Sequence, residues 1–244
     1  MKKLLALVFI ITSVFVYAQD STKTKKVSRF FIGVNFSPDY CFRTLKNTDG
    51  STISAIIYDH DNKIERAKFG FSSGINACYI ITKHISVDLG VQYSNKGYQT
   101  EEQALIYPTP RSATIYNLPT SGKFVYRYNY IDIPLKANFI FGKKKLRLIS
   151  SVGLTTNIFI SETNSFVGKY SNGSSFKNSS TSTSGQTKVN LSPTVSCGID
   201  YKVNSRMFFR IEPTFRYGVL STVDAPIAEY IWNAGLNISY YFGL

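Results

Sequence analysis

The sequence predicts an all-β fold, an eight-stranded antiparallel up-and-down β-barrel that spans a membrane. Runs of alternating polar and apolar residues recur eight times, and the connections between them are alternately short and long. After residue 18 no apolar run approaches the roughly 18 residues that a membrane-spanning helix needs, although 43% of the chain is hydrophobic and 15% is aromatic. Any membrane crossing must therefore be made of strands.

The first residues have the features of a secretory signal peptide. Lys2 and Lys3 precede an apolar stretch that runs from Leu4 to Val16, and small residues occupy the cleavage positions that end at Ala18. We predict a signal peptide over residues 1–18, a periplasmic N-terminal segment over 19–28 and one barrel domain over 29–244. The alternative, a transmembrane anchor, would need about 20 apolar residues. No cysteine adjoins the predicted cut, so we expect no lipid tether.

The strands are predicted from their period of two, which places one apolar and one polar face on each strand. We detect no helical period in any segment. The predicted strands are 29–44, 66–82, 84–99, 124–141, 145–160, 188–203, 206–222 and 229–244.

The lengths of the connections predict the orientation in the membrane. Three connections are short, at 82–84, 142–144 and 204–205, whereas those at 45–65, 100–123 and 161–187 are long and that at 223–228 is intermediate. Outer-membrane barrels have short periplasmic turns and long external loops, and an even strand number leaves both termini in the periplasm. The segment 161–187 is rich in Ser, Thr, Asn and Gly, so we expect a mobile loop there.

Glycine positions predict which face points inward, because a soluble lipocalin-type barrel would have the same period with its faces reversed. An eight-stranded barrel has room inside only for side chains, so small residues belong in the lumen and bulky apolar ones face lipid. By parity, the residues on the polar face include Gly33, Gly70, Gly74, Gly90, Gly153, Gly198, Gly218 and Gly235.

The aromatic residues of the apolar face are predicted to form two girdles at the membrane interfaces. Those near the short turns are Tyr79, Phe139, Phe141, Tyr201, Phe209, Tyr240 and Phe242. Those towards the long loops are Tyr40, Phe42, Phe69, Tyr93, Tyr217 and Trp232. The alternative is that aromatic residues simply favour strands at any height.

Charged residues also fall on the inward face. They are Asp88, Asp132, Asp200, Glu212, Lys96, Lys136, Arg210 and Arg216. They could line a translocation path or provide a catalytic carboxylate pair, but buried charges in so narrow a barrel must be paired, and we predict a salt-bridged plug. The expected pairs are Asp88 with Lys136, and Asp200 or Glu212 with Arg210. Pro134 lies inside a strand and predicts a bulge.

The three cysteines and the net charge complete the composition. We expect Cys41 and Cys78 to stay reduced, because the strand register places them about 20 Å apart along the barrel, far beyond the reach of a disulfide; composition leaves Cys197 open. Removal of Lys2 and Lys3 leaves 26 basic and 15 acidic residues. The densest basic cluster, Lys143 to Arg147, lacks interleaved aromatic residues, so we expect no nucleic-acid partner.

Two motifs resemble the PorT-like, or porin-family, outer-membrane β-barrel proteins of Bacteroidota. They are Leu89-Gly90-Val91-Gln92-Tyr93-Ser94-Asn95-Lys96-Gly97-Tyr98 and Tyr130-Ile131-Asp132-Ile133-Pro134-Leu135-Lys136. The chain departs from the family pattern at Asp132, where a glutamate is usual. Its end, Ser239 to Leu244, is similar to the C-terminal strand that the barrel-assembly machinery reads, although the aromatic residue is not last. The resemblance implies location in the cell outer membrane and partners that are outer-membrane lipid, the assembly machinery and a secretion or envelope complex.

No residue is predicted to be catalytic, to bind a cofactor or to ligate a metal. A lipid A deacylase or palmitoyltransferase would be expected to use histidine beside the outer leaflet. His84 lies in a periplasmic turn, and His60 lies in an external loop between Asp59 and Asp61, which is too few ligands for zinc and the wrong spacing for calcium. We therefore predict a non-enzymatic barrel with a filled lumen that acts through its loops, with a lipid-modifying enzyme or a small pore as alternatives.

Overall fold

The computed structural model describes residues 28–107, 118–142 and 144–244. The predicted signal peptide, 1–18, and residues 19–27 of the predicted N-terminal segment lie outside these ranges. The described elements are β1 Phe30–Asn47, α1 Thr52–Ile64, β2 Glu65–Ile80, β3 Ile85–Thr100, β4 Gln103–Ala104, β5 Ser121–Phe141, β6 Leu146–Lys169, β7 Ser175–Ser182, β8 Val189–Lys202, β9 Met207–Tyr217 and β10 Ile227–Gly243.

Eight of these strands close into a ring, which confirms the predicted strand number. The ring order is β1, β2, β3, β5, β6, β8, β9, β10, and β10 pairs with β1 again, each pair being antiparallel. The connections at 81–84, 142–145 and 203–206 are short. Phe31 pairs with Gly243, so the first and last strands meet at the short-turn end, as the even count requires.

The two faces of the ring follow the predicted parity. Along β1, Ile32, Val34 and Phe36 are about half exposed on the outside, whereas Asn35 and Ser37 are buried inside. Gly235 faces inward, and a β-carbon there would overlap the Asp39 carboxylate. The glycine on β10 therefore leaves the space that this buried acid needs, which agrees with the prediction that small residues line the lumen.

The lower lumen is organised by Arg210 on β9. Its Nε donates to Asp200 Oδ1 at 2.7 Å, and its Nη1 donates to Asp88 Oδ2 at 2.6 Å. Tyr241 donates its hydroxyl to the same Asp88 oxygen at 3.1 Å, and Arg147 pairs with Asp200 at 3.2 Å. Arg210 is 1% exposed, and Asp88 and Asp200 are buried with it, while Arg147 is 16% exposed at the edge of this ionic network.

The predicted plug is present, but one of its expected pairs is wrong. Lys136 lies directly opposite Asp88 in the register of β3 and β5, yet its Nζ reaches across the lumen to Glu212 at 2.9 Å. Asp88 is instead bound by Arg210, and the alternative Asp200–Arg210 is confirmed. The side chain of Lys136 is long enough to cross the narrow interior towards the opposite wall. Asp88 and Lys136 are neighbours in the strand register, but their side chains extend from the wall side by side and do not meet.

Two further ion pairs fill the upper half of the lumen. Lys96 pairs with Asp132 at 2.9 Å, and Arg216 lies 3.7 Å from Asp39. Asp39 was not among the predicted inward charges, although its odd-numbered position on β1 matches that of Asn35. Ser37 and Ser72 also donate to its carboxylate.

Aromatic layers lie below and above these charges and leave little space between side chains. Phe31, Phe208 and Tyr241 form a floor with Cys78. The upper layer consists of Tyr98, Tyr128, Tyr130, Phe159 and Ile231. Cavities inside the lumen, one beside Asp88 and Arg216 and another beside Lys96 and Tyr130, measure about 10 Å³ each. Such a volume is about that of one water-sized probe, so the lumen is packed and is not an open channel.

Pro134 does not create the bulge that was predicted at its position. The pairing of β3 with β5 keeps one register through this region, but the pairs that would involve Pro134 and Ile133 are missing. The proline therefore removes ladder bonds without inserting a residue. The irregularity between β5 and β6 lies instead at Asn129/Tyr130.

Three external segments also differ from the sequence prediction. The segment 161–187, expected to be a mobile loop, contains the upper part of β6 and all of β7. Helix α1 was not predicted; Ser51 caps it by accepting a hydrogen bond from Ser54 N. Strand β9 ends at Tyr217 and not at 222. No helix in the described ranges is long and apolar enough to cross a membrane.

The cysteines agree with the expectation from the strand register. All three are free, and Cys41 pairs with Lys68 while Cys78 pairs with Phe31. The two buried thiols therefore lie at opposite ends of β1, and a disulfide between them is excluded by distance.

Replacement of Arg210 should destabilise the barrel strongly. Arg210→Ala would leave Asp88 and Asp200 buried without their main cation, which costs about 3–5 kcal/mol for a buried pair. The temperature at which the compact band of an unheated SDS gel is lost should fall markedly. Lys169→Ala is the control, because its pair with Glu102 is exposed and should hardly shift that temperature. Equal heat resistance of the two variants would contradict a buried network.

Candidate binding site

Above the ring, four strands continue as an external sheet, defined here as β4, β7 and the upper parts of β5 and β6. Ser121 pairs with Lys169 and with Ala104, and Lys169 pairs with Ser175. The sheet order in this region is β4-β5-β6-β7. β5 and β6 thus remain paired from the ring up to Ser121 and Lys169.

A β-bulge decides which side chains of β6 face inward. Tyr130 pairs with Phe159, but the next residue of β5, Asn129, pairs with Ser161, so Ile160 is the extra residue in β6. Inward residues of β6 are odd-numbered below the bulge and even-numbered above it. Without the bulge, Phe166 would lie on the outer face.

The inner and outer faces of β5 exchange their polarity at the height of this bulge. Below the bulge, β5 alternates inward Asp132 with outward Ile131 and Leu135. Above it, Tyr128, Tyr126 and Phe124 face inward while Asn129, Arg127 and Lys123 face outward, following the same parity. An outer face that is apolar below and polar above marks the boundary between lipid and water. Tyr93 of the predicted upper girdle donates its hydroxyl to Asn129 at 2.8 Å, at this boundary.

The inner side of the external sheet carries a continuous row of rings, here called the aromatic face. Successive ring centroids lie 5.8 Å apart between Phe176 and Phe166, 5.1 Å between Phe166 and Phe124, 6.4 Å between Phe124 and Tyr126, and 4.6 Å between Tyr126 and Tyr98. Phe124 is 47% exposed. Tyr98, at the inner end of the row, is only 3% exposed, whereas Tyr126, Phe166 and Phe176 are partly exposed. The rings from Phe176 to Tyr126 therefore form a rigid platform on which planar or apolar groups can stack.

Two of these rings pack against glycines, which leave the space that the rings occupy. A β-carbon at Gly122 would overlap the ring of Phe166, and one at Gly168 would overlap the ring of Phe176. Because both glycines lie on the inner side of the sheet, the rings can lie flat against the backbone. This packing restricts the rings before any ligand arrives, which reduces the entropy cost of binding.

The lower edge of the aromatic face is fixed by Arg43. Its guanidinium carbon lies 3.9 Å from the centre of the Tyr98 ring, and its nitrogens bind Glu65 and Glu229. Asp61 on α1 lies 3.5 Å from the same guanidinium, so the helix is tied to the mouth of the barrel. The helix turns its polar side to the barrel, and Ile53, Ile56 and Ile57 are exposed.

A second ion pair fixes the far edge of the external sheet. Lys169 on β6 pairs with Glu102 at 2.5 Å, next to β4, and Ser121 on β5 also donates to that carboxylate. The hydrogen bonds from Lys169 and Ser121 lower the pKa of Glu102 below its ordinary value. The short strand β4 is thereby held against β5.

Neither histidine joins the aromatic face or another residue set with recognisable chemistry. His60 is on α1, 65% exposed, with its Nδ1 3.4 Å from Asp61. His84 remains in its short turn, with Nδ1 3.2 Å from the carbonyl oxygen of Ile140. Within the described ranges, no three His, Cys, Asp or Glu residues are grouped so that they could hold a metal ion.

The aromatic face was not predicted from the sequence, although one signal was present. From Phe124 to Tyr130 every second residue is aromatic, in the order Phe-Val-Tyr-Arg-Tyr-Asn-Tyr, and the aromatic residues have the parity of Asp132. That inversion within one strand indicated a change of surroundings. The part on β6 and β7 gave no such signal, because the bulge at Ile160 breaks the period.

Residues 17–244 match the family model described as "Outer membrane protein beta-barrel domain". No curated protein sequence matches the chain at a significant level.

Three similar solved structures are distant from this chain in sequence. Neisserial surface protein A has 13% identity and a TM-score of 0.41 over 87% of this chain and 96% of its own. OprG from Pseudomonas aeruginosa has 12% identity and a TM-score of 0.45 over 89% and 97%. Ail of Yersinia pestis, solved with a heparin analogue, has 14% identity and a TM-score of 0.33 over 87% and 97%. At such scores these likenesses say nothing about role.

The family model covers nearly the whole chain and agrees with the closed ring, the lipid-facing apolar surface and the short-turn end that holds both terminal strands. The chain therefore belongs to the outer membrane β-barrel protein family and is located in the outer membrane.

Proposed function

We propose that this protein is a non-enzymatic, non-conducting outer-membrane barrel that binds an envelope or surface partner through the aromatic face. The observation that carries the proposal is the row of rings from Phe176 to Tyr98, partly open to water above a packed lumen. Contiguous, preorganised aromatic residues are the kind of surface that supplies most of the energy in recognition. A secretion or envelope complex is the partner class that the PorT-like resemblance favours.

Three related assignments belong to the same proposal. The motifs around Tyr93 and Asp132 support placement among the PorT-like proteins of Bacteroidota. The basic, apolar and small-residue pattern of residues 1–18 supports removal of a signal peptide and a mature start at Gln19. The terminal strand β10, which closes the ring on β1, is the segment that the barrel-assembly machinery would read.

The aromatic face can be tested by substitution of its exposed rings. Phe124→Ser combined with Phe166→Ser should abolish recovery of the partner by a tagged barrel from mildly solubilised outer membranes, because both rings lie at the centre of the row. The control is Ile53→Ser with Ile56→Ser on α1, which removes exposed apolar surface elsewhere. Quantitative mass spectrometry of the recovered proteins measures the effect. The same recovery from both variants would refute binding at the aromatic face.

The packed lumen predicts negligible ion conductance. The purified, folded barrel in a planar bilayer should give no steady channels, because charges and rings fill the interior and its cavities are about 10 Å³. A known porin in the same bilayer serves as the positive control. Reproducible channels of constant conductance would favour the small-pore alternative.

The non-enzymatic assignment predicts unchanged lipid A. Deletion of the gene should leave the lipid A mass spectrum as it was, and so should His60→Ala and His84→Ala, since neither imidazole has the surroundings of a catalytic base. If deletion altered lipid A acylation and one histidine variant reproduced the change, the hypothesis that the protein is a lipid-modifying enzyme would be favoured.

A further inference from the structure

Strand β7 forms one edge of the external sheet and presents a row of backbone hydrogen-bonding groups. It pairs with β6 over its whole length, from Ser175 opposite Lys169 to Ser182 opposite Glu162. It is last in the sheet order, and no other described strand pairs with it. Seven of its eight residues are exposed. The amide and carbonyl groups that point away from β6 therefore face water, which is the arrangement that accepts an added strand.

This edge lacks the features that usually protect an exposed strand from pairing, which are proline, a bulge or a very short length. Its pairing with β6 keeps one register throughout, and it contains no proline and a single charged residue, Lys177. The opposite edge of the same sheet, β4, is only two residues long. The chain segments that flank β7, at 170–174 and 183–188, are described and leave it exposed. We therefore regard β7 as the open edge of the sheet.

On the inner side of the sheet, the open edge carries the outermost ring of the aromatic face. The ring of Phe176 lies 5.8 Å from that of Phe166 and 5.6 Å from that of Tyr170. A strand added to β7 would place every second side chain beside Phe176 on this side. Cross-strand pairs of an aromatic and a β-branched residue are favourable, so the inner face of the added strand should be apolar.

On the outer side, the open edge carries a lysine without an ionic partner. Lys177 is exposed, faces Val167 in the register with β6, and forms no ion pair with a described acidic residue. The next outer residue, Ser179, contacts the hydroxyl of Ser165 at 2.9 Å and is neutral. Opposite charges on paired strands stabilise a sheet, and like charges destabilise it. An acidic side chain is therefore the complement of this edge.

We propose that β7 binds an extended segment of a partner protein as an added strand, with apolar side chains towards Phe176 and an acidic side chain beside Lys177. A row of alternating amide and carbonyl groups is matched by the backbone of an extended polypeptide, whereas a glycan or a lipid has no such periodic set. The inference rests on the proposed function, because it names how the partner of the aromatic face is held.

The test measures binding of a short synthetic peptide to the folded, full-length barrel in phosphatidylcholine nanodiscs. Valine alternates with threonine in the peptide, except that glutamate replaces the central threonine. A matched peptide carries N-methyl groups on its backbone amides, which removes the donors that an added strand needs. Fluorescence anisotropy measures the Kd, and hydrogen exchange shows which amides become protected. We expect the unmethylated peptide to bind and to protect β7, and the methylated peptide not to bind.

A second arm exchanges the charges at the edge. Wild type should bind the glutamate peptide roughly five-fold more tightly than a peptide with lysine at that position, because a cross-strand charge pair contributes a factor of this size. Lys177→Glu should reverse the preference. The control is Lys63→Glu on α1, which changes the net charge of the external end equally and should keep the wild-type preference. An unheated gel band confirms that each variant is folded.

Failure of this inference is distinguishable from failure of the proposed function. If Phe124→Ser with Phe166→Ser abolishes recovery of the partner while methylated and unmethylated peptides bind equally, the aromatic face stands and strand addition falls. If that variant recovers the partner normally and the peptide still protects β7, the aromatic face falls and the strand-binding edge stands.

Three results would overturn the inference. Equal binding of the two glutamate peptides, or no protection of β7, would exclude strand addition. An unchanged preference in Lys177→Glu would exclude the acidic contact. Self-association of the barrel in sedimentation, reversed by the peptide, would show that a second copy of β7 and not another protein occupies the edge.

Discussion

The narrow interior of an eight-stranded ring forces a buried charge to find an ionic or hydrogen-bonding partner among the other inward groups. Arg210 shows this constraint most directly, because it joins β9 to Asp200 on the neighbouring strand and to Asp88 on β3 across the barrel. Lys136 makes a second crossing to Glu212. These ion pairs hold strands on opposite sides of the ring together, and their side chains fill the lumen. Since transport through such an interior is closed off, any recognition must occur on the surfaces at its two ends.

At the outer end, the bulge at Ile160 lies at the height where the strands leave the membrane, and it also makes the aromatic face possible. One inserted residue exchanges the faces of β6, so that Phe166 joins Phe124 on the inside while Ser161 and Thr163 face outward. The same height is the place where water replaces lipid outside the strand. A sheet that kept its lipid-facing pattern above this level would carry apolar residues on its outer face in water, whereas the exchanged pattern places the rings together on the inner side, where Phe124 remains 47% exposed.

The parts of this structure that could be predicted from sequence are those that obey one period along a whole strand. Alternation located the eight ring strands, and the inward position of Gly235 beside Asp39 follows from the same parity. Partners across the lumen could not be predicted, because side-chain length and direction, not register, decide that Lys136 contacts Glu212. Strand β7 was not predicted, because the bulge in β6 interrupts the alternation of the segment that pairs with β7. Helix α1 was overlooked because its three exposed isoleucines occupy one turn only, too short a run to show a period, although Ser51 was available as its cap.

Charged residues join elements of the fold at both ends of the barrel. At the outer end, Arg43, Arg66 and Lys169 each contact a carboxylate. These ion pairs hold α1, β3 and β4 in place, whereas Lys46, Lys63 and Lys177 at the same end form no ion pair with a described acidic residue. At the periplasmic end Arg210 binds Asp88 and Asp200 inside the lumen, and Arg147 at the mouth pairs with the same Asp200. The buried network that closes the barrel therefore also holds one cation of its periplasmic mouth in place.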